Sequence, residues 1–219
     1  MIDAPREKPA VQNETARIEA FSDGVFAIAI TLLILEIHVP PRDAGLSRAL
    51  LGLWPSYLAF VASFMTIGVM WLNHHRLFTL ISRNDDGLLL FNLLLLLGVT
   101  WIPFPTAVVA EHLTGHDQRD AGILYAASFL AIAIVFNVMW RYAVRARLVI
   151  QHLDVAAISK QYIMGPIFYA SLVVISLASA AWCLVISILI ALYFALPPSL
   201  WRRKAHRAVP GNPSSEFRE

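Results

Sequence analysis

RIEAFSDGVFAIAITLLILEI, residues Arg17–Ile37, is an apolar stretch with charged residues close to both ends. Only twelve uncharged residues separate Asp23 from Glu36. At about 1.5 Å per residue they span roughly 18 Å, whereas the hydrocarbon core of a bilayer is about 30 Å thick. A helix that crosses the membrane here must therefore carry charged side chains toward bilayer depth.

The cost of burying those charges predicts where this first segment lies. A charged side chain that faces lipid at the middle of a bilayer costs about 2.5–3.5 kcal/mol on insertion scales. The cost falls when the charged group faces other helices or water. We therefore predict that the first segment faces the inside of an assembly and not the lipid.

The composition is that of a membrane protein. Of the 219 residues, 58% are hydrophobic and 15% are charged, whereas soluble domains have about 25% charged residues. The net charge of +2 is too small to indicate a nucleic-acid partner. The single cysteine, Cys183, excludes an internal disulfide. Residues 1–15 lack the apolar run of a signal peptide, and we expect a loosely ordered tail there.

Three further apolar segments follow the first one, at Leu50–Trp71, Leu88–Ala110 and Ala121–Tyr142. The second segment continues into a polar end, and the third has no charge in 23 residues and is long enough to span alone. Pro103 and Pro105 predict a kink near its end.

The last apolar region, Tyr162–Leu196, has no charged residue in 35 positions. A single helix of that length would reach about 52 Å, too far for one crossing without extreme tilt. Two short helices with a turn near Ser176–Ser179 fit better. The sequence therefore predicts an all-α polytopic membrane protein with six transmembrane helices.

The distribution of basic residues predicts the orientation. With six crossings and both termini on one side, fourteen of the 17 Lys and Arg residues lie on that side and three lie on the other. An excess of Lys and Arg marks the cytoplasmic side, so both termini are predicted to be cytoplasmic. The predicted divisions are a tail at residues 1–15, a six-helix transmembrane domain at 16–200 and a basic tail at 201–219.

Ile28, Thr31 and Leu35 follow a 3-4 spacing and share one face of the first segment. If several copies met around an axis, this face would line a narrow path, and its rings of Ile and Leu would exclude water. The alternative is ordinary helix packing, with the Thr31 hydroxyl bonded to a carbonyl of its own helix. The residues alone leave both interpretations open.

Asp23 and Arg17 are six residues apart, on roughly opposite sides of a helix, so each needs a partner elsewhere. A network of Ser22 and Asp23 with a histidine of the second segment would fix how the first segment stands in the bundle. The polar end of the second segment offers Asn73, His74, His75 and Arg76. The alternative is hydration of Asp23 and Arg17 at the cytoplasmic edge.

The sequence lacks the common motifs of catalysis and metal binding. His112 and His116 have the i, i+4 spacing of metal ligands, but they flank Gly115 in a predicted loop without an HExxH-type context. The adjacent His74 and His75 point about 100° apart on a helix, which disfavours joint ligation. No GxSxG, P-loop or GxGxxG pattern occurs. We predict no enzyme activity, no cofactor and no resident metal.

The first segment carries the motif RxxxFSD at residues 17–23, which resembles the signature of the transmembrane protein 175 family. This family comprises the lysosomal potassium channel of animals and its prokaryotic relatives. The stretch WLNHHRLF at 71–78, and Asn92 followed by PFPT at 103–106, are also similar to bacterial members. The motif occurs once, which resembles the bacterial type with one six-helix repeat per chain.

The resemblance implies a potassium-selective channel formed by four copies in a bacterial inner membrane, with K⁺ and membrane lipids as partners. In that family the first helix of each repeat lines the pore. The resemblance places a pore constriction at Ile28, continued on the same face at Leu35, and an ion-selectivity layer at Thr31. It also implies an interhelical network that includes Arg17, Phe21, Ser22, Asp23 and His75.

A second hypothesis is a proton-coupled cation carrier in which Asp23 and a histidine of the second segment relay protons. It predicts saturable transport that follows a pH gradient. Against it, the sequence has no inverted repeat and no pair of segments interrupted by Gly or Pro at corresponding positions.

Overall fold

The structure is a computed structural model that describes residues 10–41 and 45–195. In this part of the chain the regular structure is helical, apart from one isolated bridge between Ile81 and Val149. The all-α prediction is therefore confirmed for the described residues. The helices are α1 Ala10–Leu32, α2 Leu46–Gly52, α3 Trp54–Thr79, α4 Asp86–Trp101, α5 Pro103–His112, α6 Gln118–Arg145, α7 Val155–Tyr162, α8 Met164–Ser176 and α9 Ala180–Ala195.

Five helical stretches of the described chain are long and apolar enough to cross a membrane. They are Thr15–Glu36, Trp54–Thr79, Asp86–His112, Gln118–Arg145 and Val155–Ser176. The sixth predicted crossing corresponds to α9, which is apolar and has 16 residues within the described part of the chain, where roughly 20 span a bilayer. The multi-pass architecture is confirmed, and the count of six crossings stays a prediction.

α1 begins at Ala10 and not at Arg17, so residues 10–15 of the expected loose tail are helical. This extension contains no Gly or Pro that would stop a helix. A 3₁₀ turn at Leu33–Glu36 continues α1, and Ile37 then leaves helical geometry shortly before Pro40. Residues 1–9 and the predicted basic tail at 201–219 lie outside the described residues.

The third segment is divided at Ile102, where α4 gives way to α5, in agreement with the irregularity predicted from Pro103 and Pro105. The Thr106 hydroxyl donates to the carbonyl of Ile102 at 2.8 Å. It also lies 2.7 Å from the Ser63 hydroxyl of α3, so the bend is fixed to a neighbouring helix.

The turn predicted near Ser176–Ser179 is confirmed, because α8 ends at Ser176 and α9 begins at Ala180. The backbone N–H of Ser179 donates to the carbonyl of Ile175 at 3.0 Å, which closes the turn. α8 and α9 pack against each other as a helical hairpin.

α6 stands at the centre of the bundle and packs against α4, α5, α8 and α9. Its large side chains Tyr125, Phe129 and Trp140 are fully buried. α1 lies on the other side of the bundle, against α3 and α4, and its outer side is uncovered in this chain. This position exposes one face of α1 and buries the other.

Candidate functional site: the exposed face of α1 and the network behind it

The face of α1 that carries the predicted pore residues points away from its own bundle. Ile28 is 60% exposed, Leu35 is 69% exposed, and Thr31 between them is also exposed. The structure therefore brings the three residues onto one outward face. The opposite face is buried and consists of Ser22, Phe26, Ala29 and Leu33.

Thr31 makes a hydrogen bond within its own helix, from its hydroxyl to the carbonyl of Ile28 at 2.8 Å. A hydroxyl that donates one hydrogen bond still has lone pairs that can accept. The oxygen of Thr31 can therefore present a partial negative charge on the outward face of α1.

A buried polar network holds α1 from behind through Asn92 of α4. The Asn92 Nδ2 donates to the Ser22 hydroxyl at 3.0 Å, and the Ser22 hydroxyl donates to the carbonyl of Ile18 at 2.9 Å. The Asn92 Oδ1 lies 2.9 Å from Nε2 of His74 in α3. All three side chains of this network, Ser22, Asn92 and His74, are buried.

The network defines the tautomer of His74. Because the Asn92 Oδ1 can only accept a hydrogen bond, the Nε2 of His74 carries the hydrogen in a neutral ring. The Nδ1 atom is then an acceptor, and it is buried without a hydrogen-bond partner among the described residues. The ring packs between Phe26 and Phe78, with centroids at 5.4 Å and 4.5 Å.

A second polar layer lies nearer the surface, between α1 and the polar end of α3. The Trp71 indole donates to Asp23 Oδ1 at 2.8 Å. The His75 Nδ1 contacts the Glu19 carboxylate, and the His75 ring stacks on Trp71 with centroids 6.4 Å apart. Two successive turns of α1 are thus linked to two successive turns of α3.

The structure shows which partners the first segment has within its own chain. Ser22 is joined to a histidine, but through Asn92 and to His74. The Asp23 Oδ1 accepts from the Trp71 indole, and no histidine among the described residues forms a hydrogen bond with this carboxylate. His75 lies in the second polar layer, where its partner is Glu19.

Arg17 and Phe21 lie apart from both layers. They are exposed and line an open groove between α1 and α4, together with Asn84, Leu89 and Leu93. Arg17 has no hydrogen-bond partner among the described residues. Within one chain the motif therefore divides into Ser22 and Asp23, which face the bundle, and Arg17 and Phe21, which face outward.

Sequence reasoning missed Glu19, and it named Trp71 and Asn92 only as part of the family resemblance. A signal existed for Asn92, because it is the only amide in a segment of 23 residues without charge. A buried amide needs partners, which indicates an interhelical contact. Glu19 had no comparable signal, since a charged residue beside the apolar part of a segment is ordinarily hydrated.

The candidate metal ligands of the sequence do not converge. The described residues contain no cluster of three or more His, Cys, Asp or Glu side chains that could hold a metal ion. His112 instead lies with Nδ1 at 3.0 Å from the carbonyl of Val108 in its own helix.

Comparison with known proteins places this arrangement in a family. The profile of the family described as "Endosomal/lysosomal potassium channel TMEM175" matches residues 17–103. A potassium channel of Chamaesiphon minutus is 51% identical over 204 residues, which cover 90% of this chain and 98% of the relative. The chain belongs to the TMEM175 family.

Two further similarities extend this assignment across the TMEM175 bundle. A potassium channel of Streptomyces collinus is 42% identical over 189 residues, covering 83% of this chain and 92% of the relative. The crystal structure of a lysosomal potassium-selective channel TMEM175 homolog from Chamaesiphon minutus matches with a TM-score of 0.77 and 51% identity. It covers 84% of this chain and 97% of that chain. The match therefore includes the helices beyond residue 103, where the family profile ends.

Proposed function

We propose that this chain is a potassium channel that conducts K⁺ passively and in preference to Na⁺. Four copies would surround a central pore lined by α1, with K⁺ as the permeant ion and without a cofactor or an enzymatic activity. The observation that carries the proposal is the outward face of α1, where Ile28, Thr31 and Leu35 are exposed while the opposite face is buried.

The charges at the ends of this helix support a place at an assembly axis and not at the lipid boundary. Glu19 and Asp23 lie on α1 and contact α3 near one end, and Glu36 lies at the other end. The exposed face between them is shorter than a bilayer core, so a lipid-facing α1 would hold these carboxylates at the depth of the acyl chains. A shared water-filled axis removes that cost.

The proposed gate is hydrophobic. Rings of four Ile28 side chains, and of four Leu35 side chains farther along, would narrow the axis and exclude water from it. Between the two, the Thr31 hydroxyls would offer oxygen atoms to a partly dehydrated cation. Potassium is less costly to dehydrate than sodium, which is the proposed origin of the preference.

The proposed location is a bacterial inner membrane, with six crossings and both termini in the cytoplasm. Fourteen of the 17 Lys and Arg residues fall on the cytoplasmic side in this orientation. The motif network of α1 and α3 then lies near the cytoplasmic side, and the Leu35 end of α1 lies near the outer mouth.

The decisive experiment is a reversal-potential measurement on the full chain in liposomes with asymmetric potassium and sodium. A current that reverses near the potassium equilibrium potential is expected. Equal permeability would remove the selectivity, and the absence of cation current would contradict the proposal. Saturable transport that follows a pH gradient would instead favour the proton-coupled carrier.

The position of the gate is tested by Ile28→Ser. A small polar side chain at the narrowest ring allows water to enter, so the single-channel conductance should rise. Leu189→Ser is the matched control, because Leu189 is 58% exposed on α9 but does not belong to the α1 face. Equal conductance of Ile28→Ser and the wild type would exclude Ile28 as the constriction.

The proposed assembly is tested on purified particles. Their protein mass should be four times the 24.4 kDa of one chain, and their images should have fourfold symmetry with α1 at the centre. A particle with α1 at its rim would contradict the assignment of α1 to the pore.

A further inference from the structure

A cavity of about 70 Å³ lies between α3 and α8, away from the exposed face of α1. α4 and α6 form its floor. An apolar cavity of about 150 Å³ holds a benzene ring, so this one has room for a few methylene groups and not for a whole small molecule. Its wall is mainly aromatic and aliphatic, with Phe26, Val99, Ile132, Phe136, Tyr169 and Phe194.

One end of the cavity is polar, and this end contains unused hydrogen-bonding groups. The side chains of Asn73 and Gln161 line it, and neither has a hydrogen-bond partner among the described residues. The Nδ2 of Asn137 is already occupied, because it donates to the carbonyls of Ala133 and Tyr162, each at 3.0 Å. Two amides therefore remain available to a ligand.

The polar end also carries positive charge. Arg76 is exposed on α3 and follows the cavity residue Asn73 by three positions, which places the two side chains on the same side of the helix. Lys160 is exposed on α7 and directly precedes Gln161. In the predicted orientation this end of the cavity lies at the cytoplasmic surface of the membrane, where anionic lipid head groups are found.

We propose that the cavity binds an anionic phospholipid of the cytoplasmic leaflet. One acyl chain enters between α3 and α8, and the phosphate head group is held by Arg76 with the amides of Asn73 and Gln161. An apolar wall offers too few polar partners for ordered water. The apolar molecules that surround a membrane protein are the acyl chains of the lipids. Positive charge beside the mouth selects an anionic head group over a zwitterionic one.

Gly165 provides a direct test, because it lines the cavity and a Cβ atom added there would meet nothing within 4 Å. The Cβ of Gly165→Leu therefore has room, and the rest of its side chain should take up part of the cavity. Native mass spectrometry of the full-length protein would count bound phosphatidylglycerol, with phosphatidylcholine of the same acyl chains as the reference. The affinity of the variant for phosphatidylglycerol should be at least about tenfold lower than that of the wild type, because several methylene groups of the acyl chain lose their binding site.

Ala170→Leu is the matched control, because Ala170 is exposed on the same helix and does not line the cavity. It should bind phosphatidylglycerol as the wild type does. Wild-type binding by Gly165→Leu, or an equal loss in both variants, would overturn the proposal. If Gly165→Leu fails to fold, Met70→Phe is the second variant, because Met70 lines the cavity from the α3 side. It should give the same loss of phosphatidylglycerol binding. Wild-type binding by Met70→Phe would overturn the proposal.

The head-group part of the proposal is tested separately by Arg76→Gln. Binding of phosphatidylglycerol should fall about fivefold, and binding of phosphatidylcholine should not change. Arg119→Gln is the matched control, because Arg119 is exposed near the start of α6 and does not line the cavity. It should leave the affinities for both lipids unchanged. Equal affinity of wild type and Arg76→Gln for phosphatidylglycerol, or equal binding of the two lipids by the wild type, would refute an anionic site.

Discussion

The amide of Asn92 joins three helices with one side chain. Its nitrogen reaches Ser22 of α1 and its oxygen reaches His74 of α3, while its backbone belongs to α4. The ring of His74 has no other polar partner among the described residues. The position of α1 relative to the bundle therefore depends on a residue that lies on neither α1 nor α3.

Asn92→Leu keeps approximately the volume of the side chain and removes both hydrogen bonds. The protein should lose about 1–3 kcal/mol of unfolding free energy, because the His74 ring is left buried with both nitrogens unpaired. Unfolding of the detergent-solubilised protein measures this. Thr100→Val is the control, since the exposed Thr100 bonds only a carbonyl of its own helix. An equal stability of the two variants would contradict the role given to Asn92.

The contact of Asp23 with Trp71 is nearer the surface and should contribute less. Asp23→Ala and Trp71→Phe should each cost about 0.5–1.5 kcal/mol. The double variant should cost little more than either single one, because both remove the same hydrogen bond. Thermal unfolding of the four proteins measures the coupling. Strictly additive losses would show that Asp23 and Trp71 act independently.

At the scale of elements, the packing of α6 against the α8–α9 turn depends on the absence of a side chain at Gly122. A Cβ atom there would lie 3.0 Å from the Cβ of Ala180, 3.1 Å from the Cβ of Ser176 and 3.3 Å from the Cα of Ala180. These atoms belong to the backbone or directly adjoin it, so they cannot move aside by a change of rotamer.

Gly122→Ala should therefore destabilise the protein by about 1–3 kcal/mol, the usual cost of an overpacked core. Gly68→Ala in α3 is the matched control, because a Cβ at Gly68 meets nothing within 4 Å. Alanine is the better helix former, so the control should be neutral or slightly stabilised. A similar effect in both variants, measured by thermal unfolding, would mean that the α6 contact tolerates a methyl group.

At the scale of the whole molecule, the predicted orientation places each loop on one side of the membrane. Ser82 follows α3 and His116 precedes α6, and both are exposed. In intact cells, a membrane-impermeant maleimide should label His116→Cys, whereas Ser82→Cys should react only after permeabilisation. The wild type is the control, because its Cys183 is buried. Labelling of Ser82→Cys in intact cells would reverse the orientation.

The sequence by itself determined where the long apolar helices lie, where two of the apolar regions break and which residues share a face, whereas the helical residues 10–15 and the short helices α2 and α7 were not predicted. The division at Pro103 and Pro105 and the turn after Ser176 follow from local chemistry, because a proline lacks the N–H and an uncharged run can exceed the membrane thickness. The common face of Ile28, Thr31 and Leu35 follows from helix periodicity alone. Such features depend on neighbours within a few residues along the chain, and the sequence contains that information completely.

The tertiary structure alone decided which side chains meet. Ser22 and Asn92 are 70 positions apart, and their contact depends on how far α4 is shifted and rotated against α1. The same packing places His74 against Asn92 and the Trp71 indole against Asp23. The sequence alone offered four neighbouring polar residues of the second segment as equivalent partners for the first segment, namely Asn73, His74, His75 and Arg76. The cavity between α3 and α8 has the same origin. Relative shift and rotation of helices are set by the sum of many packing contacts, which no local pattern of residues encodes.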